Sequence, residues 1–184
     1  GSGKSTITLS NHGGKLKTTV LHDDAFIISK AQRYDIKGKK YIGSPFKYYF
    51  GDIGLRNARL NFRQIEPTHA MENILYNELV MRGFNVDIGI VEKYTKNSKG
   101  QNTIVLLEVD FICNKGSQRY YVQSAYSIPD SYKMEQERAS LDRIHDSFKK
   151  VIVVQDNTAP WHNEKGYLII NILDFLLNPN SLEL

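Results

Sequence analysis

EVDFICNKGSQRYYVQSAY, residues 108–126, reads as two neighbouring strands joined by a tight turn. Residues 105–113 are rich in β-branched and apolar side chains. Asn114-Lys115-Gly116-Ser117 supplies the Asn and Gly that a hairpin reversal needs. Residues 119–126 form a second strand, aromatic and β-branched. Asp110 interrupts the first strand with a charge, and Gln123 stands in the second strand thirteen positions later. An unpaired polar group buried in an apolar strand costs about 2–7 kcal/mol. Asp110 therefore belongs at an exposed place or in a polar pocket. Glu108 lies two positions before it, so the pattern puts both acids on one side of the strand.

This strand-turn-strand pattern resembles the core of the PD-(D/E)xK nucleases. In that superfamily an Asp on one strand and a (D/E)-x-K on the next gather a divalent metal. Carboxylates suit a hard cation such as Mg²⁺, and the Lys supports the attacking water or the transition-state charge. Two positions depart from the pattern: Gln123 stands where the second acid belongs, and Ala125 where the Lys belongs. Gln offers a carbonyl oxygen without charge, and Ala offers nothing. The resemblance therefore implies a nuclease-like fold that has lost its chemistry.

A chain of 184 residues is one domain, or one domain with an attachment, and 41% hydrophobic residues suffice for a core. Twenty-four Lys and Arg against 20 Asp and Glu leave a net charge of +4, which permits nucleic-acid contact without arguing for it. Cys113 is the single cysteine, so no internal disulfide forms, and its apolar strand predicts an inert buried thiol. No apolar run reaches the roughly 18 residues of a membrane span, and no signal peptide is present. A cytoplasmic location is the simplest expectation.

The first residues, GSGKST, match the end of a phosphate-binding loop. The preceding strand and the following apolar helix are missing, so residues 1–24 are expected to be a flexible or truncated segment that binds no nucleotide. Residues 25–34 read as a strand, followed by a turn around Gly38 and extended pieces at 40–42 and 48–50. Gly43-Ser44-Pro45 separates those two pieces. The stretch is the most basic in the chain, with Lys30, Arg33, Lys37, Lys39, Lys40 and Lys47 interleaved with Tyr34, Tyr41, Tyr48 and Tyr49. Basic residues with aromatics can hold nucleic acid by phosphate contacts and stacking, here at Lys37, Lys39 and Lys40. A solvated hairpin with inward tyrosines is the plainer reading.

A second resemblance covers most of the chain. AFIISKAQRYDIKGKKYI, KYYFGDIGLRNARL, MENILYNELVMRGFNVDIGIV and EVDFICNKGSQRYYVQSAYS are similar to one family. It is the C-terminal domain of unknown function that follows the ATPase module in bacterial and archaeal AAA-like ATP-binding proteins. D-I-G-L-R-N and E-N-x-x-Y-N-E-L are the most specific segments. The resemblance implies a PD-(D/E)xK, restriction-endonuclease-like α/β core, a mixed sheet flanked by helices, at residues 67–184. It implies a β-hairpin remnant of a winged-helix segment at residues 25–66, and an ATPase module absent from this chain.

Pro67-Thr68 precedes an apolar-periodic segment with Met71, Ile74, Leu75 and Leu79, a helix that ends at Gly83. Glu72 and Glu78 lie six positions apart on it, about 120° around the axis, so only one can face a site. Glu78, nearer the following strand, is ranked first. A strand at 85–92 and a loop at 94–102 follow, then the hairpin, then an amphipathic helix over 131–148. Residues 150–155, KVIVVQ, form a buried strand, and 166–177 a last strand and short helix. His162 has no second ligand at metal spacing and reads as a surface residue.

Two functions remain. One is a non-catalytic nuclease-like module that binds nucleic acid or a protein and couples to an ATPase, with Glu78, Asp110 and Gln123 as its degenerate site. The other is an active metal-dependent nuclease in which Asp110 and Glu78 hold Mg²⁺. No cofactor is expected under the first.

Overall fold

The structure, a computed structural model, describes residues 5–8, 18–21, 27–59, 61–62, 66–127 and 131–184. β1 (Ser5–Thr8) and β2 (Thr18–Leu21) pair antiparallel as a small separate sheet. Gly1–Lys4, with most of the partial phosphate-loop match, lies outside the described residues, as does most of the expected flexible segment.

The remaining strands make one sheet. They are β3 (Ile28–Asp35), β4 (Lys40–Phe50), β5 (Asn85–Lys96), β6 (Asn102–Lys115), β7 (Gln118–Ala125), β8 (Lys149–Val154), β9 (Trp161–His162) and β10 (Leu168–Asn171). Their spatial order is β4-β3-β5-β6-β7-β8-β10-β9. β3/β5, β7/β8 and β8/β10 run parallel and the other neighbours antiparallel, so the sheet is mixed.

Helices cover both faces. α2 (Pro67–Met81) and α4 (Ile172–Leu177) pack Met71, Leu75, Leu79 and Phe175 on Phe111, Cys113, Val122 and Val153. On the other face, α3 (Ser131–Arg138) and the turn after it pack Met134, Leu141 and Ile144 on Val109, Ile112, Tyr121 and Ile152. The expected α/β class with a flanked mixed sheet is therefore present.

α2 forms where its signals predict. Pro67 opens it, and Gly83, at φ 84°, closes it. The N–H groups of Gly83 and Phe84 return to the carbonyls of Val80 (2.9 Å) and Leu79 (3.2 Å), the paired bonds of a Schellman end. The hairpin reversal is also as read, with Gly116 at φ 60° between Lys115 and its partner Gln118.

Three boundaries differ from the sequence reading. β4 is one strand of 11 residues, not two pieces. Its register jumps between Ala31↔Lys47 and Arg33↔Ile42, so Gly43-Ser44-Pro45 bulges out of an edge strand, the one place in a sheet where proline is tolerated. β5 extends to Lys96, which shortens the expected loop to residues 97–101. The helix expected over 131–148 stops at Arg138, and a single 3₁₀ turn, Leu141–Arg143, follows. Beyond the turn, the Asp146 carboxylate accepts the Phe148 N–H (3.2 Å) and the Tyr121 hydroxyl (2.6 Å), which holds the approach to β8 in a non-helical form. Leu141 and Ile144 are buried all the same.

The β3–β4 hairpin is continuous with the sheet rather than appended to it. Ala31 and Tyr49 sit in the same core as α2 and β6. This places side chains of the β3–β4 hairpin at the candidate site.

Candidate functional site

The site lies where β6 leaves β7. Cross-strand pairing runs from Lys115↔Gln118 to Phe111↔Val122 and ends there. On the other edge of β6 the register slips from Asp87↔Ile112 to Gly89↔Val109, so Asp110 and Phe111 together face Ile88. This is a β-bulge, a device that re-aims a side chain. Phe111 and Cys113 pack toward α2 while Val109 and Ile112 pack toward α3. Asp110 is the residue at which the alternation breaks.

Side chains replace the missing ladder bonds. The Ser124 N–H donates to Asp110 Oδ2 (2.8 Å), and the Asp110 N–H donates to Gln123 Oε1 (3.4 Å). Asp110 is only 9% exposed. Burial raises its carboxyl and the charges of Glu72 and Glu108 raise it further, against the lowering effect of Lys47 and the Ser124 N–H, leaving it at about 8.

Glu72 reaches the site from α2, and the hairpin meets it there. Lys47 Nζ donates to Glu72 Oε1 (2.9 Å) and also contacts Glu108 Oε1. The Tyr49 hydroxyl donates to the same Glu72 oxygen (2.6 Å). Arg33 Nη2 holds Glu108 Oε2 at 3.0 Å. Burial works against the charge on Lys47, but Glu72 and Glu108 outweigh it and leave its pKa above the ordinary lysine value. Tyr49 stacks on Tyr76 with ring centres 4.0 Å apart, which fixes its hydroxyl.

The segment E-N-x-x-Y-N-E-L acquires a physical meaning here. Asn73 clamps Phe50 with two bonds, accepting its N–H (2.9 Å) and donating to its carbonyl (2.7 Å). Asn77 donates to the same carbonyl (2.9 Å). In D-I-G-L-R-N, Asp52 caps α1 (Ile53–Arg59) by accepting the Leu55 N–H at 3.0 Å. The first segment seats the end of β4 on α2, and the second starts α1 directly after it.

The expected trio does not assemble as read. Asp110 and Gln123 are in contact, but Glu78 is not part of the site. Arg82 Nε donates to Glu78 Oε1 (2.8 Å), and Arg82 also donates to Ser181 Oγ (2.9 Å) and stacks on Phe175. Glu78 thus orients an arginine that ties α2 to the chain's C-terminal end. The helical offset between the two acids holds; it is Glu72 that faces inward. Gln123 shares its strand face with Tyr121 and Ala125, toward α3. Its oxygen also accepts the Ser140 hydroxyl (3.4 Å), so it is already engaged. Lys47 and Tyr49 are the residues the sequence reading missed. Their spacing of two along a strand beside E-N-x-x-Y-N-E-L is the signal that could have found them.

A divalent metal does not fit these side chains as they stand. Lys47 takes the place between Glu72 and Glu108, and among the described residues no three His, Cys, Asp or Glu side chains converge as a ligand set. Arg33 and Lys47 are also drawn out of the basic patch by the acids, while Lys30 stays exposed over the Phe46 ring at 3.8 Å. Lys37, Lys39 and Lys40 stay exposed at the β3–β4 turn, with Tyr41, itself 58% exposed, beside them. His162 is exposed on β9, and Cys113 is buried with its thiol pushed up by that burial.

A curated Haemophilus influenzae protein, described as uncharacterized, is 32% identical to this chain over 160 residues. The match covers 85% of the chain and 35% of that protein, so the chain spans about a third of its relative's length. No family model matches, and no solved structure matches. No helix of the described residues is long and apolar enough to cross a membrane.

Proposed function

We propose that this chain is a nuclease-like, non-catalytic module that binds a partner, nucleic acid or protein, for a larger ATP-binding protein. The observation that carries the reading is Asp110 at the parting of β6 and β7, with Glu108 two residues before it and Glu72 arriving from the preceding helix. The run α2-β5-β6-β7-α3-β8, a helix, three antiparallel strands and a parallel strand after a second helix, supports this reading. The β3–β4 hairpin is the segment that the family resemblance assigns to a winged-helix remnant.

The same geometry supports a loss of chemistry. Gln123 directs its oxygen to a backbone N–H and to Ser140, and Ala125 is 1% exposed inside the core. Neither offers a charge to a phosphate. The test is incubation of single- and double-stranded DNA and RNA with Mg²⁺ or Mn²⁺, beside Asp110→Ala. No cleavage is expected from either protein. Cleavage by the wild type that disappears in Asp110→Ala overturns the reading.

One observation favours a second reading, an active metal-dependent nuclease. Lys47 supplies a cation beside the acids from a different strand than the resemblance expects. Under that reading Lys47→Ala abolishes Mg²⁺-dependent cleavage while Glu78→Ala does not.

A further inference from the structure

The carboxylates nearest Asp110 are each held by the β3–β4 hairpin. Glu72 Oε1 accepts from Lys47 at 2.9 Å and from the Tyr49 hydroxyl at 2.6 Å. Glu108 takes Lys47 on one oxygen and Arg33 at 3.0 Å on the other. One ammonium therefore touches acids from two different elements, α2 and β6, and itself comes from a third, β4. A divalent ion of the Mg²⁺ class would require those oxygens to close to about 2.0–2.1 Å around one point, and the ammonium stands in that space.

We propose that Lys47 is a resident cation that holds the place of a divalent metal between Glu72 and Glu108, so that docking of the β3–β4 hairpin and occupation by a divalent ion exclude one another. The inference draws on the nuclease-like reading only for the kind of ion the acids would accept. Three features support it. Lys47 and Tyr49 lie two apart on one strand face, so the hairpin delivers the cation and a hydroxyl donor together. Asn73 and Asn77 fix the end of β4 three to four residues further on, which holds Lys47 at the acids without lengthening its reach. Burial disfavours the ammonium, yet the two carboxylates keep it charged. A tethered charge also needs no dehydration of a free ion, a step Mg²⁺ makes reluctantly.

An ordinary structural ion pair and a resident cation differ in one respect. Removing the lysine of an ordinary pair only destabilises the chain. Removing a resident cation frees a site with an appetite for divalent ions. The experiment compares wild type, Lys47→Gln and Lys47→Gln/Glu108→Gln by titration calorimetry and thermal unfolding with Mn²⁺ and Mg²⁺. Lys47→Gln is expected to bind Mn²⁺ at least about tenfold more tightly than wild type, since affinity follows the count of free ligand charges. Its melting temperature rises with Mn²⁺, and the added Glu108→Gln change removes the gain. Equal binding by wild type and Lys47→Gln, or binding by neither, overturns the proposal.

A second measurement on wild type stands if Lys47→Gln does not fold. The Lys47 ammonium protons, read by nitrogen-edited NMR, should be slow to exchange and unmoved by millimolar Mg²⁺. Binding of Mg²⁺ at Glu72 and Glu108, read from their carboxylate signals, with the Lys47 ammonium signal left in place overturns the proposal. Cleavage in the nuclease assay would sink the non-catalytic reading and leave these binding results to be judged separately.

Discussion

Lys47 and Glu72 stand 2.9 Å apart, and that contact joins an edge strand to the helix that covers the sheet. Glu72 Oε1 also accepts the Tyr49 hydroxyl, so one carboxylate oxygen serves two donors of β4. Truncating Glu72 leaves the Tyr49 hydroxyl unmatched in a part-buried place and Lys47 with Glu108 alone. Glu72→Ala is expected to cost about 1–3 kcal/mol, less than the ~3–5 kcal/mol of a fully buried pair because water reaches the edge of the site. Urea unfolding followed by circular dichroism measures it. Lys47→Ala should cost less than the sum of its two contacts, because Arg33 still holds Glu108.

Asn73 is buried, accepts the Phe50 N–H and donates to the Phe50 carbonyl. Asn73→Ala strands the Phe50 N–H, while Asn77 continues to hold the carbonyl. A loss of about 1–3 kcal/mol is expected, the penalty for one unsatisfied buried group. Hydrogen exchange should show it first at the end of β4. Uniform protection across β4 and β8 in Asn73→Ala would contradict the clamp.

Asp110 titrates at about 8 in the fold against an ordinary value of 3.8. The folded chain therefore binds this proton more tightly than the unfolded one. Stability from this group is complete below the unfolded value and is lost as pH rises toward about 8. Wild type should lose stability relative to Asp110→Asn between about pH 4 and pH 8, with no further divergence above. Parallel curves for the two proteins across that window would show that Asp110 ionises normally.

Asp110 was legible in the sequence because a charge among apolar strand residues has few places to go. The end of α2 was legible at Gly83, where only a left-handed residue closes the last turn. Glu72 was not separable from Glu78, since helical periodicity gives the angle between two residues and not which faces the sheet. Lys47 was hidden among six basic residues, and its partner Glu72 lies 25 positions away. The short α3 was hidden by Leu141 and Ile144, which are buried as a helix would bury them although a 3₁₀ turn and Asp146 carry the chain.

The exposed turn offers a separate test of nucleic-acid binding. With Arg33 and Lys47 engaged by the acids, Lys37, Lys39 and Lys40 are the exposed cations clustered at the hairpin turn, apart from Lys30 further along β3. If the turn grips a single strand, changing all three to Gln lowers the slope of log affinity against log salt by about 2, at ~0.7 per phosphate contact. Fluorescence anisotropy with a labelled oligonucleotide at several salt concentrations reads the slope. An unchanged slope removes the turn from the interface.

Restoring the resemblance's own residues should fail. Gln123→Glu with Ala125→Lys writes the acid and the lysine back into β7. In this fold Ala125 pairs with Val154 and packs in the cluster with Leu141 and Ile169, on the α3 side of the sheet. A lysine there overfills a packed place and buries a charge away from Glu72 and Glu108. Overpacking alone costs about 1–3 kcal/mol, and the unpaired ammonium adds to it. Gln123→Glu adds a negative charge beside Asp110 and turns the Ser140 hydroxyl toward it, without approaching Glu72. The double variant is expected to unfold at lower urea than wild type and to cleave nothing with Mg²⁺ or Mn²⁺. A stable double variant that cleaves DNA would mean that β7 presents Ala125 to the same side as Glu72, and the assignment of faces around Asp110 would have to be reversed.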